Sequence, residues 1–192
     1  MSHRSEPQGR APQKENMIVV KLERLDKAGF APFGDVIEID GSDWFPINQG
    51  STRRYHDLAA VHVIGDDGRA GISLARGDAF NYPLMITMLE RHPLGTQAWI
   101  PCTQTPFIAV VAPNGPDDRP DETGLRAFYV QGNQGINYRQ GVWHHPLRTL
   151  GQQGDFVVVD RIGTAPNCDE HTLSRTYCID GSYMGGQVVQ PS

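Results

Sequence analysis

The stretch Gly135-Ile-Asn-Tyr-Arg-Gln-Gly-Val-Trp-His-His-Pro-Leu147 decides the fold that the sequence predicts. Its pattern indicates a strand, a turn and a second strand, and Gly135 and Gly141 supply the backbone freedom of a tight turn. Because side chains alternate between the two faces of a strand, His144 and His145 must point in opposite directions. We therefore expect one histidine, His144 by the glycine-turn spacing, to face a barrel interior.

The composition favours a single all-β domain. The chain has 192 residues, and its 21 Gly and 14 Pro indicate many turns and few long helices. About ten short runs of strand-forming residues alternate with turn signals, a spacing typical of a sandwich or a barrel. The sequence therefore predicts a barrel domain over residues 17–170, a flexible tail at 1–16 and a C-terminal tail at 171–192.

Charge and cysteine usage narrow the classes of partner. The formal net charge is −5 and no basic patch is visible, which argues against a nucleic-acid partner. No apolar run is long enough to span a bilayer, and residues 1–16 lack the apolar segment of a signal peptide. The odd count of three cysteines without close pairing indicates reduced thiols and a cytoplasmic protein.

A second informative stretch is Glu90-Arg-His-Pro-Leu-Gly-Thr-Gln97. Glu90 and His92 are two residues apart at the end of a predicted strand, so their side chains share a face. A tight hairpin would bring Gln97 beside them, and an inward His144 would complete a group of four. Imidazole and carboxylate bind several divalent metals, and both also suit proton transfer, so metal coordination and acid–base catalysis remain open for this group.

These strings resemble known families. Glu-x-His-x4-Gln, followed much later by Gly-x2-His, is similar to the two motifs of the cupin superfamily, with Glu90 at the first histidine and Gln97 at the glutamate. A Gln carbonyl is a poor ligand for soft metals, so Gln97 is equally a candidate hydrogen-bond partner of substrate. Four strings, in order along the chain, resemble the ureidoglycolate lyase family (formerly ureidoglycolate hydrolase): Arg54–Ala59, Glu90–Gln97, Asn137-Tyr138 with Val142–Leu147, and Asp155-Phe156 with Asp160-Arg161.

The resemblance implies an activity and an architecture. The activity is cleavage of (S)-ureidoglycolate to glyoxylate and urea in allantoin breakdown, by a carbon–nitrogen lyase of the amidine-lyase class. The architecture is a cupin-like double-stranded β-helix or barrel with extra strands and a few short helices, as a cytoplasmic homodimer. A divalent metal such as Ni²⁺ would lower the pKa of the substrate hydroxyl, and no organic cofactor is indicated. Two alternatives remain open, an amidohydrolase-type activity on the same substrate and a non-catalytic small-ligand sensor.

Further candidates surround the predicted site. Tyr138 is a candidate hydrogen-bond donor to substrate, and the alternative is a half-buried strand tyrosine. Trp99 is a candidate pocket wall or a core residue. His145 is a candidate supporting residue, dimer contact or surface residue. An arginine would hold the substrate carboxylate through paired hydrogen bonds. The arginine candidates are Arg54 and Arg161, which lead, followed by Arg91 and Arg126.

Overall fold

The computed structural model describes residues 17–183, so the predicted tail at 1–16 and the end of the predicted C-terminal tail lie outside the described residues. Within them the chain forms one α-helix, α1 (Lys27–Phe30), and three 3₁₀ turns at Asn48–Gly50, Pro116–Asp118 and Glu122–Gly124. The strands are β1 Met17–Val19, β2 Leu22–Arg24, β3 Gly34–Ile37, β4 Trp44–Ile47, β5 Thr52–Tyr55, β6 Arg69–Gly77, β7 Ala79–Phe80, β8 Leu84–Arg91, β9 Gln97–Pro101, β10 Phe107–Ala112, β11 Arg126–Val130, β12 Gly135–Tyr138, β13 Trp143–His144, β14 Arg148–Leu150, β15 Gly154–Ile162 and β16 Asp169–Ile179.

These strands form two large sheets and a hairpin. Sheet A follows the order β1-β16-β8-β13-β10-β11-β2, with β14 on β10 and β7 on β14. Sheet B follows the order β3-β12-β9-β15-β6, and β4 pairs only with β5 among the described strands. The segment 17–24 pairs with β16 at one end and with β11 at the other, so it joins the two edges of sheet A. Sheet A therefore curls on itself.

The curl of sheet A creates two separate apolar clusters. The outer cluster is enclosed by sheet A and contains Ile108 and Val110, whereas the inner cluster lies between the two sheets and contains Phe107 from β10 and Phe156 from β15. Strand β10 is buried on both faces, which explains its unbroken apolar sequence. The rings of Phe107 and Phe156 meet edge to face with centroids 5.3 Å apart. The inner cluster thus fixes the distance between the two sheets at the level of the site.

The all-β, cupin-like expectation is confirmed, but two details of the prediction are wrong. The predicted tail from residue 171 onward is instead largely strand, because β16 pairs with β8 and buries Leu173, Tyr177 and Ile179 in the outer cluster. An irregularity between Thr172 and Tyr177 breaks the period of two that would have revealed this strand. The predicted tight hairpin after β8 does not form either, since β8 lies in sheet A and β9 in sheet B.

Candidate active site

Three of the four side chains that the sequence predicts to converge, from β8, β13 and the residue after β8, meet at the inner face. His144 on β13 lies directly opposite Glu90 on β8, and His92 follows the end of that strand. The distance from His144 Nε2 to Glu90 Oε1 is 3.7 Å, and the ring centroids of His92 and His144 are 5.2 Å apart. One nitrogen or oxygen atom from each of the three residues lies within 4.8 Å of the others. We call this set the Glu–His–His group.

The tautomers of both histidines are set by backbone carbonyl oxygens. His144 Nδ1 lies 2.9 Å from the Val142 carbonyl oxygen, and His92 Nδ1 lies 2.7 Å from the Asn167 carbonyl oxygen. A carbonyl oxygen only accepts, so each Nδ1 carries the proton and each Nε2 keeps a free lone pair in the neutral ring. Both Nε2 atoms are buried and have no hydrogen-bond partner within residues 17–183. Each lone pair is therefore available to a ligand.

The surroundings keep the His144 ring neutral. Its side chain is 2 % exposed, and this burial lowers its pKa to about 3. The Tyr138 ring stacks on it with centroids 4.2 Å apart and an interplanar angle of 17°. Burial also raises the pKa of Tyr138, so its phenol stays protonated and can act as a hydrogen-bond donor.

Glu90 supplies the carboxyl group of the Glu–His–His group. Burial raises the pKa of Glu90, and the neighbouring His92 opposes that rise. One carboxyl oxygen faces His144, and the other lies 3.9 Å from the Cys168 thiol. A carboxylate with a raised pKa is a better proton acceptor than a solvated one, which suits acid–base chemistry near neutral pH.

Sheet B forms the opposite wall of the site and positions Gln97 differently from the prediction. Gln97 pairs with Tyr138 in the register of β9 and β12. Its carbonyl oxygen accepts a hydrogen bond of 2.8 Å from the Trp99 indole, which argues against Gln97 as a metal ligand. Trp99 itself packs against the inner cluster, where it meets Phe156 edge to face.

Asp160 is a polar residue of this wall that the sequence prediction missed as a site residue. Its Oδ2 lies 3.5 Å from Gln97 Nε2, and its Oδ1 is buried without a hydrogen-bond partner in the described part of the chain. A signal was present, because an aspartate interrupts the apolar run of β15 and belongs to one of the family-like strings. A carboxylate oxygen left unpaired in this way favours a role in ligand binding.

The predicted carboxylate clamp at Arg161 is not supported by the structure. Its guanidinium donates to the Ile64 carbonyl at 2.8 Å, to Asp67 at 2.7 Å and to the Ala165 carbonyl at 3.4 Å. The residue is 6 % exposed and lies on the outer face, beneath the loop it holds. Every nitrogen of its guanidinium is therefore engaged in fixing the fold.

The other candidate residues lie away from the Glu–His–His group or are occupied. Arg91 pairs with Asp118 and Asp169, and Arg126 pairs with Glu23. Arg54 is exposed on β5, which pairs with β4 in a hairpin apart from the two large sheets. His145 is half-buried, and its Nδ1 lies 2.8 Å from the Pro146 carbonyl oxygen, so it does not join the inward His144.

The fold and the site together define a class of protein. Two packed β-sheets hold two imidazoles and a carboxyl group at their inner face, an arrangement typical of cupin-like enzymes that act on small molecules. A family model described as ureidoglycolate lyase matches residues 17–180, and this chain belongs to that family. The match includes β16, in agreement with the place of that strand in sheet A.

Individual relatives with the name ureidoglycolate lyase match this chain over nearly their full length. The chain is 56 % identical over 155 residues to the ureidoglycolate lyase of Pseudomonas fluorescens SBW25, covering 81 % of this chain and 92 % of the relative. The corresponding enzyme of Azotobacter vinelandii is 52 % identical over the same shares of the two chains. That of Pseudomonas aeruginosa LESB58 is 54 % identical, with 81 % and 90 % covered. None of the helices described in residues 17–183 has the length and apolar character needed to cross a membrane.

Proposed function

We propose that this chain cleaves (S)-ureidoglycolate to glyoxylate and urea in allantoin breakdown, as a carbon–nitrogen lyase of the amidine-lyase class. The observation that carries the proposal is the Glu–His–His group, whose two Nε2 atoms are buried and have no partner within residues 17–183, in a chain of the ureidoglycolate lyase family. Its relatives in Pseudomonas and Azotobacter are named for this activity.

The reaction moves one proton within the substrate. The hydroxyl on the central carbon loses its proton as the C=O bond of glyoxylate forms, the bond from that carbon to nitrogen breaks, and the urea nitrogen gains a proton. No water is consumed. A single group that accepts the hydroxyl proton and returns it to nitrogen completes the cycle. We assign this transfer to Glu90, because it is the one carboxyl of the Glu–His–His group and its Oε1 lies 3.7 Å from His144 Nε2; burial also raises its pKa.

Tyr138 and the two histidines would orient the substrate in this scheme. The Tyr138 phenol stays protonated and stacks on His144, so it is placed to donate a hydrogen bond to a substrate oxygen. Among the four arginine candidates, Arg54 is the one whose guanidinium takes part in no ion pair of residues 17–183. By elimination, Arg54 remains the candidate for the substrate carboxylate, and because β5 lies in the separate β4–β5 hairpin this role requires the hairpin to approach the bound substrate.

The residues of the Glu–His–His group also fit a divalent metal such as Ni²⁺. Two imidazoles whose Nε2 atoms have no partner within residues 17–183, together with one carboxylate oxygen, make a donor set that first-row metals accept. The carbonyl partners at both Nδ1 atoms fix the rings in the orientation that metal ligation requires. When bound, such an ion would supply Lewis-acid stabilisation of the substrate oxygens.

We also propose a cytoplasmic homodimer. The outer face of sheet B supports a dimer, because Ile72 and Leu74 on its edge strand β6 are each 80 % exposed, opposite Val159 and Val157 in the register. Free thiols at all three cysteines support a reducing compartment. Light scattering should give about twice the chain mass of 21.2 kDa, and a mass near that of one chain contradicts the dimer.

Product analysis tests the activity. The purified protein is incubated with (S)-ureidoglycolate, and urea, glyoxylate and ammonia are each measured over time. Equal release of urea and glyoxylate without ammonia supports the lyase. Release of ammonia and carbon dioxide instead indicates an amidohydrolase, and the absence of enzyme-dependent product indicates a sensor.

A further inference from the structure

Three strands of sheet B place a row of polar side chains on the inner face of the site. Tyr138 on β12 pairs with Gln97 on β9, and Ala98 pairs with Val159 on β15, so the next position along β15 brings Asp160 opposite Gln97. The 3.5 Å contact between the Gln97 amide nitrogen and the Asp160 carboxylate agrees with this register. The row therefore runs from Tyr138, whose ring stacks on His144, through Gln97 to Asp160. Neighbouring strands of such a sheet lie about 4.8 Å apart.

The orientation of the Gln97 amide is fixed by chemistry. The Trp99 indole N–H is only a donor, so the Gln97 atom 2.8 Å from it must be the carbonyl oxygen. The NH₂ of Gln97 is thereby directed to the Asp160 side, where its one contact, at 3.5 Å, is long for a hydrogen bond. Gln97 thus retains donor capacity in the site.

Asp160 supplies a hydrogen-bond acceptor beside the Gln97 donor. Its Oδ1 atom is buried and accepts no hydrogen bond from residues 17–183. An unpaired buried carboxylate oxygen lowers stability, and such groups persist where they bind a ligand. The wall therefore presents an acceptor at Asp160 next to a donor at Gln97.

We propose that Asp160 and Gln97 bind the terminal amide of the substrate's ureido group, an inference that rests on the proposed function. A terminal amide carries an N–H donor beside a C=O acceptor, which matches the acceptor of Asp160 and the donor of Gln97. The Asp160 charge also repels the substrate carboxylate, so the substrate binds in one direction. The ureido end lies on sheet B, and the hydroxyl-bearing carbon lies at the Glu–His–His group.

Binding of an uncleavable analogue tests this assignment. N-carbamoylglycine keeps the ureido group and the carboxylate but lacks the hydroxyl that the reaction needs, whereas glycolate lacks the ureido group. Ligand-observed NMR titration measures both affinities for the wild type, Asp160→Asn and Gln97→Glu. In Asp160→Asn the introduced amide oxygen is expected to face the Gln97 NH₂, which leaves the introduced NH₂ directed at the ligand donor. In Gln97→Glu the introduced carboxyl can still accept the hydrogen bond from the Trp99 indole, but the NH₂ donor of Gln97 is lost.

We expect each variant to bind N-carbamoylglycine about tenfold or more weakly than the wild type, with a clearly smaller change in glycolate affinity that reflects the altered charge of the wall. Asp155→Asn is the matched control, because Asp155 lies on the same strand but pairs with Arg76 at the surface. It should change neither affinity. Asp160→Asn should also melt at or above the wild-type temperature, since it replaces a carboxyl whose buried Oδ1 atom has no partner within residues 17–183, whereas a structural role predicts a lower melting temperature.

Two results overturn the assignment. A loss of N-carbamoylglycine affinity below tenfold in both variants contradicts it, and so does an equal loss for glycolate. Urea release by the wild type is measured in the same preparations. If the wild type releases no urea, the proposed function fails and the assignment fails with it. If the wild type releases urea while both variants bind N-carbamoylglycine normally, only the assignment to Asp160 and Gln97 fails.

Discussion

Two polar groups in this protein differ in how completely their hydrogen bonds are satisfied. In the first, Arg161 uses all three guanidinium nitrogens, and its partner Asp67 also accepts hydrogen bonds from the Thr164 backbone and hydroxyl. In the second, the Glu–His–His group, both Nε2 atoms are buried and unpartnered within the described residues.

The difference separates a structural network from a functional one. A buried polar atom without a partner costs about 1–3 kcal/mol, so a fold keeps it only where something else is gained. The satisfied network of Arg161 stabilises the loop above it, whereas the unsatisfied nitrogens of the Glu–His–His group are available to substrate or metal. The first group should therefore matter for stability and the second for turnover.

Removal of His144 should have the largest effect. His144→Ala is expected to lower kcat/KM at least about 10³-fold, because it removes the buried Nε2 nitrogen that we propose contacts the reacting centre. Steady-state assays of glyoxylate release measure the loss. His145→Ala is the matched control, because His145 directly follows β13 and does not join the inward His144, and it should stay within about tenfold of the wild type. Comparable losses in the two variants would show that the inward orientation does not decide catalysis.

Removal of a bound metal should cause the next-largest loss of activity. Protein purified without histidine-affinity resin, and then treated with a chelator, is expected to lose about 10²-fold or more in activity. Readdition of Ni²⁺, Mn²⁺ or Zn²⁺ should restore it, and elemental analysis identifies the ion that copurifies. Activity that survives complete metal removal would mean that the side chains alone carry the acid–base chemistry.

Disruption of the Arg161 hydrogen-bond network should change the free energy of unfolding more than the turnover rate. Arg161→Met removes hydrogen bonds to two carbonyls and to Asp67, so we expect a loss of about 2–3 kcal/mol in the free energy of unfolding. Guanidinium denaturation measures it. Arg76→Met, which breaks an exposed pair with Asp155, should change stability by less than about 1 kcal/mol. A stable Arg161→Met protein with a strongly reduced kcat would reverse the contrast between the two groups.

The sequence predicted the half of the site that depends on local periodicity. Strand geometry predicts that Glu90 and His92 share a face and that His144 and His145 point in opposite directions, and the glycine-turn spacing selects His144 as the inward residue. These residues meet because β8 and β13 are neighbours in sheet A.

The other half depends on pairings between distant strands that local patterns do not encode. Gln97 lies in a different sheet from Glu90, and Asp160 reaches the site only through the register of β15 on β9. Arg161 looked like a clamp because the sequence does not show the loop that occupies it. The strand β16 was missed because an irregularity disturbs its alternation.

The rate of urea and glyoxylate release by Glu90→Gln tests the central claim most directly. This substitution keeps the size of the side chain but removes its ability to carry a proton between the hydroxyl and the urea nitrogen. We predict equal release of the two products by the wild type, a loss of about 10²-fold or more in kcat in the variant, and N-carbamoylglycine binding that persists. A Glu90→Gln enzyme with the kcat of the wild type would contradict the assignment of the Glu–His–His group as the catalytic centre.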